Sequence, residues 1–157
     1  MNKKDKQFLL EVKLNWLENF NGELDAKNVK PTINVSIPKE FGGKTKQWSP
    51  EHLFLGSICS SFMTTFLAFA KKLKTKISKF QCNIIGQIEI VDGVYQYTHI
   101  NIYPSVFIID ESLRKNTNLA IEKTHKHCLI INSVIAEVFF HTEIHIEKKP
   151  DKNQKKN

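Results

Sequence analysis

The sequence predicts an α+β domain of mostly antiparallel sheets packed on a long buried central helix. Three observations carry this. Apolar and polar residues alternate near both ends of the chain. A two-residue turn, Asp92-Gly93, sits between two long alternating runs in the middle. From Leu53 to Ala70 there are 18 residues without a charge. Alternation is the signature of half-buried strands, and strands at both ends with a hairpin between them favour a layered antiparallel arrangement.

Taken in order, Phe8, Leu10, Val12, Leu14 and Trp16 alternate with mostly polar neighbours and predict a first strand. Asn21-Gly22 reads as a turn, and Ile33, Val35 and Ile37 predict a second strand. Pro38 to Ser49 reads as a loop. Ser49-Pro50-Glu51 opens a helix, because serine suits the N-cap, proline the first helical position and glutamate the positive end of the dipole. Lys71, Lys72 and Lys74 close it at the negative end. Its uncharged length touches the transmembrane range. The interspersed Gly56, Ser57, Ser60, Ser61, Thr64 and Thr65, and the amphipathic strands that need a partner to pack on, favour a soluble helix buried on several sides.

The hairpin follows. Phe80, Cys82, Ile84, Ile88 and Ile90 share one face of the outgoing strand, and Ile100, Ile102, Val106 and Ile108 one face of the return. Asp110 is a plausible cap for a second helix, on which Leu113, Thr117, Ala120, Ile121, Thr124 and Cys128 fall on one stripe. Val138, Phe140, Ile144 and Ile146 predict a last strand, giving the order β-β-α-β-β-α-β.

The chain has 157 residues, which suggests one domain, with a core over about 8–147 and lysine-rich disordered tails at 1–6 and 148–157. The tails hold nearly all of the net charge of +7, so the body lacks the basic stripe of a nucleic-acid-binding surface. Three cysteines with no framework spacing, and no signal-like opening, point to reduced thiols in a cytoplasm. The helix that is apolar nearly all round predicts a homodimer that packs it against a second copy.

Among residues that carry chemistry, Cys59 reads as a small buried hydrophobe of the central helix, and Cys82 as a core residue of its strand. Cys128 follows His125, Lys126 and His127. Their charge would favour its thiolate and make it the most reactive of the three thiols, although a buried structural thiol fits equally well. His125, His127, Cys128, His141 and His145 are possible zinc ligands, but no closely spaced cysteine pair anchors a site, and His141 and His145 alternate with glutamates as on a solvated strand. No cofactor is expected.

The segment Ser49 to Ser57, running on through Phe62 to Ala68, resembles the central-helix signature of the OsmC/Ohr family of organic hydroperoxide reductases. His127 to Ser133 resembles that family's second-cysteine segment. The resemblance spans roughly residues 8–147. It implies an OsmC-like fold, an intertwined homodimer with sites at the interface, and a two-cysteine peroxidase. A thiolate on the central helix attacks the peroxide, a second cysteine condenses with the resulting sulfenic acid, and a small dithiol or lipoylated protein restores both thiols.

Carried over residue by residue, Glu51 matches the family glutamate and Cys128 the second cysteine. The first cysteine, ten residues after the glutamate, falls on Ser61. Cys59 comes two residues early, and two residues turn a helix by about 200°, so its sulfur is expected to face away. A serine hydroxyl does not form a sulfenic acid. The family's N-terminal arginine has no counterpart, since Arg114 is the one arginine in the chain, and Lys39, Lys44 or Lys46 would lack its forked geometry. Two functions follow from the resemblance. One is thiol-dependent reduction of organic hydroperoxides in oxidative stress defence, weakened by Ser61, with Cys128, Cys59 and Glu51 as its residues. The other is a non-catalytic protein that binds an acyl or aromatic small molecule.

Overall fold

The computed structural model describes residues 7–43 and 46–147 and divides into two compact units, Met1–Phe54 and Leu55–Asn157. The expected lysine-rich tails, and Lys44, lie outside the described residues.

The first unit holds a three-stranded antiparallel sheet of β1 (Lys13–Glu18), β2 (Asn21–Ala26) and β3 (Val29–Val35), in that order. The Asn21-Gly22 pair is not the turn. The chain reverses at Asn19 and Phe20, with Asn19 at φ 48°, and again at Asn28, with φ 63°. Asparagine tolerates this left-handed region better than most residues. Gly22 instead lies inside the central strand. A Cβ there would sit 2.9 Å from Leu14 Cδ1 and 3.2 Å from the Asn15 carbonyl oxygen. A glycine demanded by close strand approach thus carried the appearance of a turn, and β2 went unpredicted. Phe8, Leu10 and Val12 precede β1 instead of lying in it. The expected half-burial is also absent within one chain, where Trp16 is 74% exposed.

Helix α1 (Pro50–Lys72) begins where the sequence placed it. The Ser49 hydroxyl accepts from the His52 backbone N–H at 3.3 Å and lies 2.8 Å from His52 Nδ1, and Leu53 N–H donates to the Ser49 carbonyl. This satisfies donors that a helix start otherwise leaves open. Within the single chain, burial follows one stripe, Ile58, Phe62, Phe66 and Ala70, while Met63 and Leu67 remain 37% and 40% exposed. By length and composition α1 is long and apolar enough to cross a bilayer, yet Phe62 and Phe66 are fully buried in the second unit.

The second unit is built on the hairpin of β4 (Ile77–Val91) and β5 (Val94–Ile108), which turns at Asp92 (φ 52°) and Gly93 (φ 80°). The register pairs Ile84 with Ile102 and Phe80 with Val106. Ile100, Ile102, Val106 and Ile108 are fully buried, as their alternation predicts. Ile90, near the hairpin tip, is exposed. Asp110 accepts from the Ser112 N–H at 2.8 Å and caps a short 3-10 turn that runs into α2 (Arg114–His127). Thr117, Ala120, Ile121, Thr124 and Cys128 are buried on the predicted stripe.

The single last strand of the sequence reading is two strands, β6 (Glu137–Phe140) and β7 (Glu143–Ile146). They follow one another along the free edge of β5, both parallel to it. The chain leaves the ladder at His141 and Thr142, and the His141 N–H donates to the Ile102 carbonyl across the gap. A period-2 pattern continues through such a break, so alternation could not reveal it.

Candidate functional site

Two thiol clusters occupy the second unit. The first joins α1 to the end of α2. Ser61 lies one residue before Phe62, whose ring is held by Phe80 of β4, Phe140 of β6 and His125 of α2 at centroid distances of 6.4, 5.9 and 5.9 Å. This packing fixes the rotation of α1, and Ser61 is brought to Cys128. The Cys128 thiol donates to the Ser61 hydroxyl at 3.2 Å.

Cys128 is the C-cap of α2, with its N–H bonded to the Thr124 carbonyl, and it is 0% exposed. The sequence left open a reactive thiol and a buried one, and in the single chain Cys128 is buried. The cationic neighbours are weaker than their sequence proximity implied. His125 is held below the usual histidine range by burial, with Glu122 opposing the shift, and its ring stacks on Phe140 at 3.8 Å. The His127 ring lies against Phe69.

The second cluster is the pair Cys59 and Cys82. Two residues before Ser61, Cys59 turns to β4, where its sulfur lies 3.6 Å from the Cys82 carbonyl oxygen. The Cys82 thiol donates to the Asn83 carbonyl at 3.7 Å. It is pushed up to about 12, by burial first, then by its neighbour Cys59. All three cysteines are free, and Cys59 and Cys82 are both partly exposed. The structure therefore places Ser61 with Cys128 and Cys59 with Cys82. Sequence reasoning left Cys82 in the core. Its inward-facing position on β4 was legible, but the helix residue it would meet was not.

Glu51 belongs to the first unit. It lies in the first turn of α1, half-buried, at the edge of an apolar cavity of about 310 Å³ lined by Leu14, Trp16, Val35, Ile37 and Pro50 among others. Lys39 and Lys46 are exposed. Arg114 is engaged by Glu111 and by the Ile144 carbonyl, at 2.5 and 3.3 Å.

The histidines considered as metal ligands are dispersed. His141 pairs with Asn101 at 2.9 Å and stacks on Tyr103, and His145 pairs with Glu143 at 3.1 Å and stacks on Phe107. Among the described residues no three His, Cys, Asp or Glu side chains converge on a point that could hold an ion.

Comparison with known proteins gives a consistent picture. The family described as OsmC-like protein matches residues 42–143. The uncharacterized protein YmaD of Bacillus subtilis is 25% identical over 141 residues, covering 87% of this chain and 93% of its own. An OsmC-like protein of unknown function from Vibrio cholerae superposes with a TM-score of 0.73 at 21% identity, covering 88% of this chain and 99% of the other. An organic hydroperoxide resistance protein from Elizabethkingia anophelis gives a TM-score of 0.70 at 17% identity, with 91% and 99% covered.

Proposed function

The chain belongs to the OsmC-like protein family, and from that premise we propose that it reduces organic hydroperoxides with a protein thiol, at a rate limited by Ser61. The observation that carries this reading is the 3.2 Å contact between Cys128 and Ser61. It puts a thiol against the position where the family's first cysteine belongs.

With serine at that position, Cys128 acts alone. Its thiolate attacks the terminal oxygen of the hydroperoxide, the O–O bond breaks, and the alkoxide leaves as the alcohol after taking a proton. Cys128 is left as a sulfenic acid. An external dithiol, small or lipoyl-borne, first forms a mixed disulfide with loss of water, then closes its own disulfide and releases the Cys128 thiol. Burial of Cys128 limits access of the peroxide and makes the first step slow.

We further infer that the protein works as a homodimer in a reducing cytoplasm. Leu14, Trp16, Met63 and Leu67 are apolar and exposed in the single chain, and a second copy would cover such surfaces. The alternative reading, a non-catalytic receptor for an acyl or aromatic molecule, uses the apolar cavity of the first unit and needs no thiol.

The deciding experiment measures consumption of an organic hydroperoxide with several thiol reductants, for the wild type beside Cys128→Ser. Slow, dithiol-dependent consumption that the substitution lowers supports the peroxidase. Equal rates for the two proteins overturn Cys128 as the reacting thiol, and no turnover with any reductant leaves the binding reading.

A further inference from the structure

The geometry points to Cys59 and Cys82 as a second redox centre: a dithiol, separate from Cys128, that a hydroperoxide oxidises to an intramolecular disulfide. Three observations converge on it. Cys82 stands two residues after Phe80 on β4, on the strand face whose Phe80 packs against Phe62 and Phe66 of α1. The Cys59 sulfur is drawn to the Cys82 backbone, 3.6 Å from its carbonyl oxygen. Both residues are partly exposed, whereas Cys128 is fully buried.

The pair also has a built-in division of labour. Cys82 holds its proton, first through burial and then through its neighbour Cys59, so it serves as the resolving thiol and Cys59 as the attacking one.

The chemistry balances with a hydroperoxide as the oxidant. Ionised Cys59 attacks the terminal oxygen, the O–O bond breaks, and the alcohol departs with a proton, leaving a sulfenic acid on Cys59. That step removes the negative charge that helped Cys82 keep its proton. The Cys82 sulfur then attacks the Cys59 sulfur, and the departing hydroxide leaves as water with the Cys82 proton. Two thiols and one hydroperoxide become one disulfide, one alcohol and one water. An external dithiol reverses the state by exchange, ending as its own disulfide.

The inference rests on the peroxide reading above for the identity of the oxidant, but not for the role of Cys128. The test therefore uses both the wild type and Cys128→Ser. Each is treated with one equivalent of tert-butyl hydroperoxide, blocked with an alkylating agent, digested without reductant and mapped. The expected result in both is a peptide linking Cys59 to Cys82, at about tenfold or more over untreated protein. In Cys82→Ala, which cannot close the bridge, a β-diketone probe should trap the sulfenic acid on Cys59. Recovery of Cys59 and Cys82 as alkylated free thiols after oxidation overturns the proposal, as does linkage of Cys59 to Cys128 in the wild type.

The two readings fail separately. Linkage without any effect of Cys128→Ser on turnover removes Cys128 from the peroxidase and keeps the dithiol. Turnover that depends on Cys128, without linkage, does the reverse.

Discussion

At the scale of single residues, the contact between Ser61 and Cys128 makes the strongest statement. The Ser61 hydroxyl oxygen stands 3.2 Å from the Cys128 sulfur. Ser61→Cys should therefore form a disulfide with Cys128 on mild peroxide treatment, visible in a non-reducing peptide map. It should raise peroxide consumption roughly tenfold, a change of about 1.4 kcal/mol in barrier. A Ser61→Cys protein whose two thiols stay free after oxidation would show that the side chains do not face one another. His125 offers a second test. Burial lowers its folded pKa, so the unfolded chain binds its proton more readily. Stability from this group is intact above the unfolded value, near 6.5, and falls as pH drops below it. Urea midpoints should thus decline between neutral and mildly acidic pH, and His125→Phe should flatten the decline.

At the scale of elements, α1 works because its stripe is aromatic. Phe62 is fully buried and touches rings from β4, β6 and α2, so the orientation of Ser61 and Cys59 depends on it. Phe62→Ala should cost about 3–5 kcal/mol, read as a lower denaturant midpoint. The alternation in β4 and β5 and the stripe on α2 were legible in the sequence, because a side-chain period reports directly which face is buried. The strand β2 and the break between β6 and β7 were not. Gly22 answers to the closeness of Leu14, and the pause at His141 leaves the alternation undisturbed.

At the scale of the whole molecule, the exposed apolar residues set the expectation. Trp16 on β1 and Met63 and Leu67 on α1 lie open in one chain. Light scattering at micromolar concentration should give twice the chain mass of 18.2 kDa. A stable monomer would mean these residues serve another partner. Trp16→Lys should weaken the dimer and leave the second unit folded, since that unit carries its own buried core.

The sequence by itself determined the fold class, the family, the start of α1 at Ser49 and the hairpin at Asp92-Gly93. Each of these is a local matter of caps, turns and periods, or a matter of spacing along the chain. Only the tertiary structure decided which thiol meets which. A helical offset of two residues gives the direction of Cys59 but not what waits there, and it is the packing of α1 on β4 that puts Cys82 beneath it. The burial of Cys128 was likewise a tertiary matter. Its histidine and lysine neighbours in sequence suggested activation, but what packs on the thiol through space leaves it fully buried in the single chain.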